Sequence, residues 1–106
     1  MGLLDHLCGP DVNRGVLEYS LVSGAVLLDV RTQQEFNDGH IPGSVNLPLQ
    51  MLDNADEIIE NVDVPLYVYC RSGARSRQAV MVLKSMGYRN VTNIGGISAY
   101  TGKVER

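Results

Sequence analysis

Between Cys70 and Ser76 the chain reads Cys-Arg-Ser-Gly-Ala-Arg-Ser, which gathers a thiol, two guanidinium groups, two hydroxyls and a glycine in one short stretch. A cysteine acts as a nucleophile when it is a thiolate, and a free thiol with a pKa near ~8.5 is only a few per cent ionised at neutral pH. Lowering that value by ~2 units takes ~2.7 kcal/mol of differential stabilisation. A loop that runs into a helix presents unpaired backbone N–H groups and the positive end of the helix dipole. The dipole contributes ~0.3–1 kcal/mol, and up to ~2 when partly buried. Hydrogen bonds from amides or arginine, at ~1.5–3 kcal/mol each, complete the sum. Gly73 can take a positive φ and let Arg71, Ser72, Gly73, Ala74 and Arg75 curl into a cradle around an anion. A buried, inert cysteine ending a core strand needs none of these neighbours. The chemistry expected is therefore nucleophilic, at Cys70.

Such a loop needs a strand before it and a helix after it. Pro65 to Cys70 is a short apolar run of the kind found in buried parallel strands, with Pro65 tolerable only at its start. Val26 to Val30 has the same character, and Val45–Leu47 and Val91–Ile94 read as shorter strands. Helical patterns occupy about 13–23, 32–38, 50–61 and 75–86. In the last, Ala79, Val80, Val82, Leu83 and Met86 form a broad apolar face and Gly87 ends it. Strands alternating with helices imply an α/β fold in layers around a mainly parallel sheet. Ligands in such sheets bind beyond the carboxyl ends of the strands, where Cys70 and Asp29 both fall.

The chain has 106 residues, 44% hydrophobic and 20% charged, which suits one domain. A single domain over 1–106 is expected, with a loose N-terminal extension at 1–9 and a loose tail at 102–106. The start lacks a basic segment and is interrupted by Asp5 and His6, so a secretory signal is not indicated, and His6 breaks the myristoylation pattern that Gly2 suggests. No apolar run approaches the ~20 residues that span a bilayer. A cytoplasmic protein without a membrane partner is expected. Cys8 and Cys70 make no disulfide framework, and with His6 and His40 they lack metal-ligand spacing. The net charge of −3 hides an asymmetry: residues 1–64 hold eleven acids and two bases, residues 65–106 one acid and seven bases. Three of those bases, Arg71, Arg75 and Arg77, lie beside Cys70, which points to a local anion site. Nucleic acid is disfavoured as a partner, because no basic stripe is interleaved with aromatics.

Three separated signatures carry a family resemblance. The loop from Cys70 to Ser76 resembles the C-R-S-G-x-R-S active-site loop of single-domain rhodaneses. Leu28-Asp29-Val30-Arg31, Glu35-Phe36 and the stretch Gly39 to Pro48 resemble the family's amino-terminal signature. Asn93 to Tyr100 resembles its carboxy-terminal Gly-Gly segment, with Tyr100 where the family usually has Trp, a change read as one of packing. The likeness runs from about residue 10 to 101. It implies a three-layer rhodanese fold and a sulfurtransferase: Cys70 takes a sulfane sulfur from a small anionic donor such as thiosulfate, becomes a persulfide, and yields the sulfur to cyanide or a thiol. The loop amides would hold the persulfide, Arg71 and Arg75 the donor, and Ser72 and Ser76 would donate hydrogen bonds. Such ping-pong chemistry needs no metal or organic cofactor. A persulfide carrier in a sulfur relay, or a docking module for a partner protein, are the alternatives. A cysteine-dependent phosphatase is disfavoured, since its C-x5-R loop would need arginine where Ser76 stands.

Other polar residues have plainer readings. Asp29 is either a cap or a brace for the loop, through backbone N–H groups or an arginine. Arg31 and Glu35, four apart, are expected to pair with each other. His40 sits in the turn Gly39 to Gly43 and is read as structural, His6 and Cys8 as incidental. Gly95-Gly96 lacks the Lys-Ser/Thr of a phosphate loop, which leaves close backbone packing or a turn. Asp53 to Asp63 reads as the solvated face of a helix packed by Leu52, Ile58 and Ile59.

Overall fold

A computed structural model describes residues 9–106. Within them the chain runs α1 (Val12–Leu21), β1 (Val26–Asp29), α2 (Gln33–Asp38), β2 (Val45–Asn46), a 3-10 segment (Leu49–Asn54), α3 (Ala55–Ile58), β3 (Leu66–Cys70), α4 (Ala74–Ser85), β4 (Val91–Gly96) and a closing 3-10 turn (Ile97–Ala99). The strands form one parallel sheet in the order β2-β1-β3-β4. Their continuous apolar sequences follow from burial on both faces.

The two faces carry separate cores. Leu28, Val68 and Cys70 share one cluster with Leu52, Ala79 and Leu83, under α4 and the Leu49–Ile58 stretch. Leu27 and Tyr69 share the other with Val12, Ile41 and Ile94, under α1, and Tyr100 packs against this second cluster as an expected packing residue. Neighbouring residues point to opposite faces of a strand, so Leu27 and Leu28, or Tyr69 and Cys70, end up in different layers. That alternation aims Cys70 at the α4 side.

The expected helix over 50–61 is broken into the 3-10 segment and the single turn of α3. Leu52, Ala55 and Ile59 face inward, whereas Ile58, expected inside, is 53% exposed. Three apolar positions spaced three and four apart fill the space, and Ile58 lies off that line. The acidic residues Asp53, Asp56, Glu57 and Glu60 are exposed, as expected. The tail expected to be loose at 102–106 is tied down instead. His40 and Glu105 exchange two backbone hydrogen bonds of 2.8 Å, and Arg106 Nε donates to the Asp38 carbonyl at 2.9 Å. The backbone N–H and carbonyl of His40 and the carbonyl of Asp38 supply the partners, a pattern that side-chain composition does not encode. Residues 1–8 of the expected loose extension lie outside the described residues.

Gly15 on α1 passes directly over Ile94, and a Cβ there would collide with Ile94 Cβ and Cγ2. Helix propensity alone would make Gly15→Ala stabilising by ~1 kcal/mol. Overpacking of this kind costs ~1–3 kcal/mol. We expect Gly15→Ala to lower the urea midpoint; a midpoint that rises would contradict this packing.

Candidate active site

Cys70 is the last residue of β3, and the chain turns at once into α4. Gly73 makes the turn with φ 104°, a region that side-chain-bearing residues avoid, and its carbonyl accepts from Arg77 N at 3.0 Å. The helix therefore begins at Ala74, earlier than expected. Ala74 and Arg75 belong to its first turn, and only Arg71, Ser72 and Gly73 form the loop. No side chain caps α4. The sulfur takes that place: Gly73 N–H donates to Cys70 Sγ at 3.0 Å.

Cys70 is 1% exposed and sits at the base of this loop. Burial is the largest influence on the thiol and pushes its pKa up. The Ser76 hydroxyl and the backbone N–H groups of Ser76, Gly73 and Ser72 together outweigh it, and the thiol titrates below its ordinary value. Ser72 contributes this amide at an exposed position.

Ser76 is fully buried beneath the loop. Its Oγ lies 3.5 Å from Cys70 Sγ, 2.7 Å from Asn93 Oδ1, 3.1 Å from the Gly73 carbonyl and 3.4 Å from that of Gly95. Asn93 Oδ1 also accepts from Gly95 N at 2.9 Å, and Asn93 Nδ2 donates to the Gly73 carbonyl at 3.4 Å. A bulge in β4, opposite Val68 and Tyr69, accompanies this arrangement. A side chain on Gly96 would run into the Arg71 carbonyl and Ser72 Cα, so the loop lies directly on the Gly95-Gly96 backbone. Close packing explains Gly96, and Gly95 takes a positive φ of 102°.

The arginines are arranged differently from the expectation. Arg75 is paired: its Nη1 and Nη2 bind the two carboxylate oxygens of Glu35 at 2.7 and 2.9 Å. Those bonds hold the Glu35 carboxyl down at about 2, helped by Thr32. Glu35 pairs with Arg75 and not with Arg31, because α2 begins after Thr32 and Arg31 lies outside it. The four-residue rule applies only within a helix. Thr32 and Glu35 form a capping box, which fixes Glu35 facing the active-site loop.

Arg31 binds Asp29 at 2.6 Å, with both residues buried, and also donates to the Gly39 carbonyl at 2.7 Å. Asp29 thus holds an arginine, as one reading allowed, and its contacts go to Arg31 and not to the loop amides. Arg71 is exposed and has no ion-pair partner among the described residues. With Arg31, Glu35, Asp38, Gly39, Ile97 and Ser98 it lines an open cavity of about 350 Å3.

His40 stacks on Phe36 at 3.7 Å and its Nδ1 bonds the Phe36 carbonyl, a structural placement. Cys8 and His6 lie outside the described residues. No group of three or more His, Cys, Asp or Glu side chains among the described residues is placed to hold a metal ion. Sequence reasoning missed Asn93 and the Glu35–Arg75 link. A polar residue in a buried strand just before two glycines was the available signal for the first; the second spans 40 positions and leaves no local trace.

A family model for the Rhodanese-like domain matches residues 17–103. The chain belongs to the rhodanese-like domain family. A sulfurtransferase of Allochromatium vinosum is 43% identical over 77 residues, covering 71% of this chain and 70% of that protein. The putative sulfur carrier protein YrkF of Bacillus subtilis is 40% identical over 81 residues, covering 74% of this chain and 43% of its own length. A solved structure described as rhodanese with anions from E. coli superposes with a TM-score of 0.72 at 28% identity, over 77% of this chain and 98% of that one. Against several curated relatives this rhodanese-like chain spans only 25% to 64% of their length. No helix among the described residues is long and apolar enough to cross a membrane.

Proposed function

We propose that this rhodanese-like domain transfers sulfane sulfur through Cys70. The thiolate attacks the outer sulfur of thiosulfate; a Cys70 S–S bond forms, the S–SO3 bond breaks, and sulfite leaves with the electron pair. A nucleophile, cyanide or a thiolate, then attacks the outer persulfide sulfur and releases the Cys70 thiolate. The observation that carries this reading is the Gly73 N–H directed at Cys70 Sγ at 3.0 Å, at the open N-terminus of α4. The same donors that favour a thiolate favour a persulfide anion. Arg71 is the cation free to meet an anionic donor, with Ser72 and Gly73 forming the cradle and Ala74 and Arg75 the first helical turn behind it.

A carrier role, in which the persulfide passes to a partner protein of a sulfur relay, is the second reading; it draws on the name of the Bacillus subtilis relative. Both readings require loading. After exposure to thiosulfate, the intact protein should gain about 32 Da, one sulfur held covalently, and Cys70→Ala should gain nothing. Loaded protein that releases sulfur to cyanide or a small thiol is a free transferase, and one that releases it only to another protein is a carrier. Failure to load from thiosulfate or any other sulfane donor, or turnover of an aryl phosphate that Cys70→Ser abolishes, would overturn both.

A further inference from the structure

Four acceptors compete for one proton beneath the active-site loop. The Ser76 hydroxyl has a single hydrogen, and Asn93 Oδ1, two carbonyl oxygens and Cys70 Sγ all lie within reach. The shortest of these contacts, 2.7 Å, goes to Asn93. The orientation of the Asn93 amide is fixed, because the atom that faces Gly95 N–H must be its oxygen. With the hydrogen on that bond, Ser76 Oγ offers only lone pairs to the sulfur and accepts from the neutral thiol at 3.5 Å. A thiolate needs the opposite: the hydroxyl must leave Asn93 and swing towards Sγ.

We propose that Asn93 is a positioning residue for Cys70, holding the Ser76 hydroxyl away from the sulfur and so setting how much thiolate the site maintains. The inference rests on Cys70 being the reacting thiol. Asn93 touches neither the sulfur nor the cavity beside Arg71; its short link towards the sulfur runs through Ser76 at 2.7 Å, beside a longer contact of 3.4 Å to the Gly73 carbonyl. The bulge in β4 places it there: Asn93 stays opposite Val68 while Gly95 moves into register with Tyr69. Bulges commonly re-aim side chains beside active sites.

The charged groups around the site are Arg71 from the loop, Arg75 from α4, Asp29 at the end of β1 and Arg31 just after it, and Glu35 and Asp38 from α2; β4 contributes none between Val91 and Gly96. Changes at Asn93 and Ser76 that carry no charge leave all of them in place, and the part of an Asn93 shift that disappears without Ser76 reports the hydroxyl. Charge-assisted hydrogen bonds are about twice as strong as neutral ones, so the freed hydroxyl prefers a thiolate to a carbonyl.

The experiment is the rate of Cys70 alkylation by iodoacetamide against pH. Asn93→Ala should lower the apparent pKa of Cys70 by about one unit, about tenfold more thiolate on the acid side of the curve. Ser76→Ala should raise it, and Ser76→Ala with Asn93→Ala should match Ser76→Ala alone. Asn93→Asp, which keeps an acceptor for Gly95 N–H if the alanine variant fails to fold, should raise the pKa in the presence of Ser76 by more than in its absence. An Asn93→Ala curve that is unchanged or raised, or a shift of equal size with and without Ser76, would overturn the proposal. Alkylation needs no sulfur donor. If no variant loads sulfur while the alkylation pattern holds, the transfer reading fails and the role of Asn93 stands.

Discussion

Asp29→Ala should remove about 3–5 kcal/mol of stability, the usual cost of stripping one partner from a buried ion pair. Asp29 is fully buried and Arg31 is 6% exposed. Burial works against the guanidinium charge, and the Asp29 hydrogen bonds more than restore it. Without the carboxylate, Arg31 keeps the Gly39 carbonyl, the face of Tyr69, 5.8 Å from its ring centroid, and the charge of Glu35, which is itself tied to Arg75. Native domains are stable by about 5–15 kcal/mol in total, so the loss is a large share. In urea, with an m-value of about 2 kcal/mol/M, the midpoint should fall by about 2 M. Replacing the pair together, Asp29→Leu with Arg31→Met, should recover most of it, because the penalty is the orphaned charge and not the missing bond. A single-variant loss below about 1 kcal/mol would show that water reaches Arg31 and that the pair is effectively a surface one.

The same pair shows what a sequence reveals and what it hides. β1 and β3 are legible because a strand buried on both faces must be a continuous apolar run, and Leu27-Leu28 and Tyr67-Val68-Tyr69 are that. The far helix is legible from the broad apolar face around Ala79 and Leu83. Cys70 and Gly73 are legible because their types leave few alternatives at a strand-to-helix turn. Partner choice among charges is another matter. Arg31 has carboxylates two and four positions away, and which one it takes depends on where α2 starts, a boundary that composition does not set. Thr32 decides it: as the helix cap it puts Arg31 outside and Glu35 inside. Arg75 then meets Glu35 across the site, since β1 and β3 are neighbours in the sheet. The break at Asn54 and the pairing of His40 with Glu105 are likewise tertiary outcomes that local pattern does not specify.

The Glu35–Arg75 link makes an electrostatic prediction with opposite signs at its two ends. Glu35 lines the cavity beside Arg71, and Arg75 neutralises it from behind. Two unit charges about 8 Å apart in an effective dielectric of about 40 interact by about 1 kcal/mol, and a dianion doubles that. Arg75→Ala, which leaves Glu35 bare, should therefore lower kcat/KM for thiosulfate, a dianion, by about thirtyfold. Glu35→Gln, which leaves Arg75 bare, should raise it by a similar factor. Both effects should fade near 1 M salt, where the screening length is about 3 Å. The variant carrying both changes should return close to the parent rate. The sign holds at neutral pH because the folded Glu35 carboxyl titrates at about 2, below its ordinary 4.5. The pair's contribution to stability is thus complete above the unfolded value and is lost as the pH falls towards 2. If Arg75 instead gripped the donor directly, the double variant would stay as slow as Arg75→Ala, and a rate that remains depressed would show that the arginine belongs to the substrate and not to Glu35.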